Sequence, residues 1–417
     1  MAAPPRGDYA QSIHFCLASS QCFVVNDVLT EAILHKAMLN DELVLYYQPK
    51  VSLLSGDIIG AEALVRWSDG VNGIVSPSEF LPLAESSGML HDLTLRLLDQ
   101  VIDASAQLPE HQPALSLSIN VAPDDLASNA ISQLIGKALD EGRIEASDLQ
   151  VEITESAVMG NVDKVYDDLV RLKARGIKIL MDDFGTGYSS IDRLSQLPFD
   201  ALKLDQGVVK RMGSSQQNLD VVRSAISMAR ELGMTSVAEG IETAEAYNFL
   251  IAHGCDEAQG YYIAKPMSLH DFLHFINESH DFGGSQLGRV HQASLNLMRF
   301  RKSLLDAAFC RRLGEGIALD SLADPALCAP VTESRLGLWY FGIGQKLSTY
   351  RQFTDIEQPM RSMHESGVNF LALLEEGASA QQLDKALEAI DQRVDLLLSL
   401  FHSLERFLLM QESTDNN

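Results

Sequence analysis

The stretch ELVLYYQPKVSLLSGDIIGAEALVRW (42–67) sets two apolar runs, rich in β-branched and aromatic residues, on either side of Ser55-Gly56-Asp57. That pattern is a strand, a tight turn and a second strand, so a hairpin opens a domain. Upstream, Leu29, Ile33, Leu34 and Met38 keep helical spacing, whereas residues 1–26 show no period and form an N-terminal lead-in. Downstream come six short apolar runs separated by helical stretches: LSLSINVA (115–122), LQVEIT (149–154), IKILMDD (177–183), ALKLD (201–205), MTSVAE (234–239) and EAQGYYIA (257–264). Such alternation predicts βα units and a mainly parallel sheet. With the hairpin it makes eight strands over about 240 residues, the size of a (β/α)8 barrel. A doubly wound open sheet is the alternative, but it favours a Gly-rich phosphate loop after an early strand, and no G-x-G-x-x-G follows one here.

The barrel pattern fades at HDFGGSQLGR (280–289), where Gly283, Gly284 and Gly288 interrupt the helical register. Beyond it, segments within 294–309, 353–376 and 380–410 repeat apolar residues at three- and four-residue spacing with almost no strand signal. The expected division is a lead-in (1–26), a barrel (27–280), a linker (281–289) and an all-α helical bundle (290–413).

The whole chain has 417 residues, 46% of them hydrophobic and 21% charged, which is the composition of a folded globular protein. Its net charge of -25 repels polyphosphate backbones and argues against nucleic acid as a partner. Five scattered cysteines, Cys16, Cys22, Cys255, Cys310 and Cys328, suggest a reducing cytoplasm and no disulfide framework. No apolar run reaches the length that spans a bilayer, so no membrane partner is expected.

The acids carry the chemistry. Glu62, Glu152, Asp182, Asp183, Asp205 and Glu239, with the amide Asn120, lie in or at the C-terminal ends of the strand-like runs. In a barrel those ends converge on one mouth. A single acid there is ordinarily a helix N-cap or turn residue. Six together repel one another unless cations neutralise them, and an all-oxygen donor set selects Mg2+ or Mn2+ over zinc. Asp182 and Asp183 could serve two ions, an arrangement suited to phosphodiester hydrolysis. Lys203 shares the inward face of its strand with Asp205; it either orients the attacking water or pairs with a barrel carboxylate. Gln259 and Arg66 are candidates for orienting water and binding phosphate. DDFGTGYSS (182–190) reads either as a mobile loop over the site or as a tight βα turn.

AEALVRW, SINVAP, VEITES, MDDFGTGYSS, LKLDQG, VAEGIET and AQGYYIAKPM, in this order and spacing, resemble the EAL family of cyclic di-GMP phosphodiesterases over about residues 29–278. The resemblance implies a TIM-like barrel with one antiparallel strand and hydrolysis of cyclic di-GMP to linear pGpG by two Mg2+ or Mn2+ ions. It assigns the first metal to Glu62, Asn120, Glu152 and Asp182, and the second to Asp182 and Asp183, with Glu239 helping. It places Lys203 on the catalytic water, with Asp205 and Gln259 in support. Glu155 and Glu242 would hold the DDFGTGYSS loop, and Gln48, Leu64 and Arg66 would meet the ligand. A homodimer through the barrel is also implied. Some relatives of this family act only as receptors, which leaves a non-catalytic cyclic di-GMP receptor signalling to a protein partner as the alternative.

ESRLGLWYFGIG (333–344) and IEQPMRSMHESG (356–367) resemble the chemoreceptor zinc-binding domain, whose bundle holds zinc through three His and one Cys. Ser334 stands where the Cys is expected and Met360 where a His is expected. His291, Cys328 and His364 leave a weak zinc site at most, and the competing reading is a metal-free module for regulation, dimerisation or a protein partner.

Overall fold

The computed structural model describes residues 29–68, 73–109, 114–122, 125–126, 128–155, 162–185, 197–278, 280, 282, 285–312 and 329–415. In the first half, α1 (Glu31–Leu39) leads to β1 (Leu43–Ser52), β2 (Ile58–Ser68), β3 (Ile74–Val75), α2 (Pro77–Ser86), α3 (Leu90–Ser105), β4 (Ser116–Asn120), α4 (Ala130–Asp140) and β5 (Leu149–Thr154). The barrel continues through α5 (Val162–Ala174), β6 (Lys178–Phe184), β7 (Ala201–Leu204), α6 (Gln206–Lys210), α7 (Gln216–Glu231), β8 (Thr235–Ala238), α8 (Ala244–Ala252), β9 (Glu257–Gln259) and α9 (Leu269–Asn277). The C-terminal helices are α10 (Gln286–Arg312), α11 (Arg335–Phe341), α12 (Arg351–Thr354), α13 (Glu357–Glu375) and α14 (Ala380–Asp415).

Eight strands close a barrel in the order β1-β9-β8-β7-β6-β5-β4-β2, with β1 returning to β2 and the two-residue β3 appended to β2. β1 runs antiparallel to both its neighbours, and the remaining barrel pairs are parallel. The expected hairpin is thus the pair β1–β2. EAQGYYIA is strand only over its first three residues. Gly260 there packs so close to Ile241 that an added Cβ would sit 2.2 Å from the Ile241 nitrogen, and the chain turns away.

Strands covered on both faces commonly read as unbroken apolar runs. These alternate, because their two faces meet different neighbours. Leu117, Ile119, Val151, Ile153, Ile179, Met181, Leu202 and Leu204 join the large core beneath the helices. Ser118, Gln150, Glu152, Asp182 and Lys203 have the opposite parity and are buried as well, inside the barrel. The strand pattern therefore places the polar residues of the site as directly as it places the core.

The C-terminal helices hold their own core, in which Trp339 meets Phe353 and Phe401 edge-on and Tyr340 stacks on Phe353 with ring centroids 4.4 Å apart. α10 starts at Gln286, inside the stretch expected as a linker, and Arg289 from that stretch is buried with Nη1 donating to the Leu53 carbonyl at 3.3 Å. The helical unit is docked on the barrel end opposite the mouth. No helix among the described residues is long and apolar enough to cross a membrane.

Candidate metal centre and active site

The mouth is built by register. Glu62 on β2 pairs with Gln48 on β1 and Ser118 on β4, and Asn120 at the end of β4 pairs with Glu152 on β5. Glu62 is mid-strand because β2 runs on to Ser68, so its position at the site comes from sheet register rather than from a strand end. Glu62, Glu152 and Asp182 bring carboxylate oxygens within 4.8 Å of one another.

Lys203 stands among them, fully buried. Its Nζ lies 2.5 Å from Glu239 Oε1, 3.3 Å from Asp182 Oδ1 and 3.6 Å from Glu62 Oε2, and it also donates to Glu152. Burial alone would depress an ammonium, but these carboxylates outweigh it and hold Lys203 well above the usual lysine range. In the metal-free site Lys203 is therefore a proton-bearing cation and a hydrogen-bond donor.

Adjacent residues of a regular strand face opposite ways, but the strand is not regular at Asp182 and Asp183. The β6–β7 ladder is irregular between Met181 and Phe184, and Asp183 takes a left-handed φ of 58°. Its amide donates to Asp182 Oδ1 at 2.8 Å. Burial raises the Asp183 carboxyl, and the charge of Asp205 adds to it. Burial likewise raises Glu62, Asp182 and, most strongly, Glu239. For Glu152 burial pushes upward too, but Lys203 and Lys50 prevail and hold it below the ordinary carboxylate range.

Gln259, at the end of β9, donates from Nε2 to Glu62 Oε2 at 2.7 Å and to Gln48 Oε1 at 3.0 Å. Asn120 Nδ2 donates to Glu62 Oε1 at 2.7 Å. Glu155 accepts from the Gly185 amide at 3.1 Å, at the entrance to the DDFGTGYSS loop. Residues 186–196 of that loop and its approach lie outside the described residues. Glu242 is paired with Lys210 at 2.9 Å on the cavity wall. Asp205 caps α6, accepting from the amides of Gly207 and Val208 at 3.0 and 3.2 Å, which is the ordinary use of an acid after a strand.

Beside the cluster opens a cavity of about 300 Å³ whose wall includes Gln48, Glu62, Leu64, Arg66, Glu239 and Gln259. Lys210 and Tyr261 also line it and were not anticipated from the sequence, nor was Lys50. Lys50 is buried inside the barrel, donating to Ser118 Oγ and Gln150 Oε1 at 3.0 Å each and standing 3.6 Å from Glu152 Oε1. Period-two parity with Gln48 along β1 is the signal that could have found it.

The donor set fits hard divalent cations. It is all oxygen, and most of its carboxyls are raised by burial and mutual repulsion despite the nearby ammonium of Lys203.

The EAL domain family model matches residues 31–266, more than half of the chain. The chain belongs to the EAL family. Over 240 residues this EAL chain is 38% identical to the cyclic di-GMP phosphodiesterase RocR of Pseudomonas aeruginosa, covering 58% of this chain and 61% of that one. Over 234 residues it is 34% identical to the cyclic di-GMP phosphodiesterase PdeR of Escherichia coli, covering 56% of this chain and 35% of PdeR. The solved PaMucR phosphodiesterase in complex with c-di-GMP superposes with a TM-score of 0.55 at 33% identity, covering 58% of this chain and 98% of that chain. The chain thus spans less than two thirds of these two curated relatives, and the EAL match ends before α10 begins.

In the C-terminal helices, Ser334 is used as an N-cap, its Oγ accepting from the Gly337 amide at 3.1 Å and donating to the Val331 carbonyl at 2.7 Å. Met360 is buried in the bundle core. His364 Nε2 lies 2.9 Å from the Ala329 carbonyl, and His291 is exposed beside Glu405 at 3.7 Å. Cys328 lies outside the described residues. Among the described residues, the barrel carboxylates are the one group of His, Cys, Asp or Glu gathered closely enough to hold a metal.

Proposed function

We propose that this chain hydrolyses one phosphodiester of cyclic di-GMP to linear pGpG, in the cytoplasm, using two Mg2+ or Mn2+ ions. The observation that carries this reading is the buried Glu62–Glu152–Asp182 cluster, organised around Lys203 and opening onto a cavity beside it. The names of RocR, PdeR and PaMucR support the choice of substrate.

In this reading Glu62, Asn120, Glu152 and Asp182 hold one ion and Asp182 and Asp183 the other, with Glu239 assisting. Bound divalent ions lower the pKa of water and neutralise charge on a phosphoryl group. The residues of the chain do the rest. Protonated Lys203 donates to the attacking oxygen and keeps it aligned, and Gln259 fixes the rotamer of Glu62. Gln48, Leu64 and Arg66 grip the ligand, the guanidinium of Arg66 meeting a phosphate or a base edge. Glu155 braces the 182–190 loop at Gly185. Asp205 acts at one remove, through the cap of α6 and its charge beside Asp183. The chain works as a homodimer through the barrel, and the C-terminal helices serve as a regulatory or dimerisation module.

Chromatography of the purified chain with cyclic di-GMP and Mg2+ or Mn2+ tests this. Conversion to pGpG is expected for the wild type and not for Glu62→Ala or in EDTA. Ligand binding without turnover by the wild type would make the chain a receptor instead.

A further inference from the structure

The helix that joins the two units carries a buried polar stripe. Arg289, Gln292, Asn296 and Arg299 on α10 recur at three- and four-residue spacing on one face. The first three are at most 3% exposed. This face grips the three residues that precede β9. Arg299 Nη2 donates to the Gly254 carbonyl at 3.0 Å, Gln292 Nε2 to the Cys255 carbonyl at 2.7 Å, and Arg299 Nη1 to Asp256 Oδ1 at 3.1 Å. From α11, Arg335 Nη1 donates to the same Asp256 oxygen at 2.5 Å.

Asp256 is 4% exposed and fully engaged. Its Oδ2 accepts from the amide and hydroxyl of Ser236 on β8 at 3.0 and 2.8 Å, and its carbonyl accepts from the Leu53 amide at 2.8 Å. The two arginines hold its carboxyl down at about 2 against the upward push of burial. Asp256 therefore ties two bundle helices to β8 through its carboxylate and to the β1–β2 turn through its carbonyl. β8 leads to Glu239, and β9 leads to Gln259. Gln259 is the third residue after Asp256, about 10 Å along an extended strand held in register by β1 and β8. So short a strand has no slack to absorb a shift at its root.

We propose that Arg299 and Arg335 are positioning residues for the metal centre, acting through Asp256 and β9 on the Gln259–Glu62 hydrogen bond. The C-terminal helices are then part of the construction of the site, placed at its base and not at its mouth. This rests on the reading that the carboxylates hold divalent cations.

The test uses the full chain with Mn2+ as probe, its affinity read by electron paramagnetic resonance beside thermal unfolding and kcat and KM. Arg335→Gln leaves Arg299 on Asp256, and thermal unfolding checks that the variant is folded. It is expected to weaken Mn2+ binding by about tenfold, the usual effect of removing an outer support of a metal ligand. Arg335→Lys should recover most of that loss, and Arg299→Gln with Arg335→Gln should deepen it. Arg301→Gln breaks the 2.6 Å pair with Asp391 within the bundle and should leave Mn2+ affinity unchanged whatever it does to unfolding. Wild-type Mn2+ affinity in folded Arg335→Gln, or an equal loss in Arg301→Gln, overturns the inference. A wild-type chain that binds no Mn2+ overturns the functional reading and this inference with it.

Discussion

Replacing Lys50 by methionine removes a cation from beneath the candidate metal centre while keeping a side chain of similar length. Lys50 Nζ makes two buried hydrogen bonds, to Ser118 and Gln150, each worth about 1 kcal/mol net. It also stands 3.6 Å from Glu152, where an effective dielectric of about 20 gives an attraction of about 5 kcal/mol before the cost of burying the ammonium is set against it. Much of that attraction is offset by desolvation, and Glu152 keeps Lys203, so the expected loss of stability is about 2–3 kcal/mol. The functional signature is separate. With one of its two cationic neighbours gone, the Glu152 carboxyl moves upward, protons compete longer for a metal ligand, and the acid limb of the pH–rate profile moves to higher pH. Denaturant unfolding and turnover of cyclic di-GMP at saturating and limiting Mn2+ measure both effects. Activity at limiting Mn2+ should fall by about tenfold or more. Full stability with an unmoved acid limb would show that Lys50 is a bystander.

Four other features make further predictions. Glu62, Asp182, Asp183 and Glu239 have raised carboxyls, so each binds its proton more tightly folded than unfolded. Their contribution to the stability of the metal-free protein is present at acid pH and is lost as pH rises through those raised values. The increase in Tm on adding Mn2+ should therefore grow as pH rises through those raised values, and an increase that shrinks with rising pH in calorimetry contradicts the site. Arg66→Ala should raise KM by about tenfold with kcat nearly unchanged, the loss of one charge-assisted contact made equally in ground and transition states; a loss confined to kcat would move Arg66 into the chemistry. Gly260→Ala drives a Cβ to 2.2–2.3 Å from the backbone of Ile241 and should cost about 1–3 kcal/mol as well as displace Gln259; unfolding and activity identical to wild type would refute this. His364→Ala should leave the zinc content unchanged, because Ser334 is committed to a helix cap and Met360 to the core; a fall of about one equivalent by elemental analysis would restore the zinc reading.

The barrel was legible because its outward residues obey a period of two and its helices a period near 3.6, and both periods survive in short windows. The acids were legible for the same reason, since parity places Glu152, Asp182 and Lys203 on one face. What the sequence hid depends on contacts across the chain. Lys50 gains meaning only when β1 turns antiparallel and sets it against Ser118 and Gln150, 68 and 100 residues away. Asp205 reads as a site acid, and only the turn after β7 shows that it also caps α6. Strand-like YYIA fails as strand because Gly260 meets Ile241 from another βα unit, and a linker reading of 281–289 overlooks that Arg289 finds its partner at Leu53, 236 residues earlier.

Lys203 gives the centre a cation of its own. Its ammonium already lies within 3.6 Å of oxygens of four acids, so the acid cluster carries an internal counterion before any other arrives. Small zinc domains fall apart under chelation because nothing else balances their ligands. Here a divalent ion held as proposed would enter a framework that already contains a resident charge. Stripping and reloading the metal should thus be a reversible cycle of the folded chain, with occupancy set by the supply of ions rather than by the history of the protein.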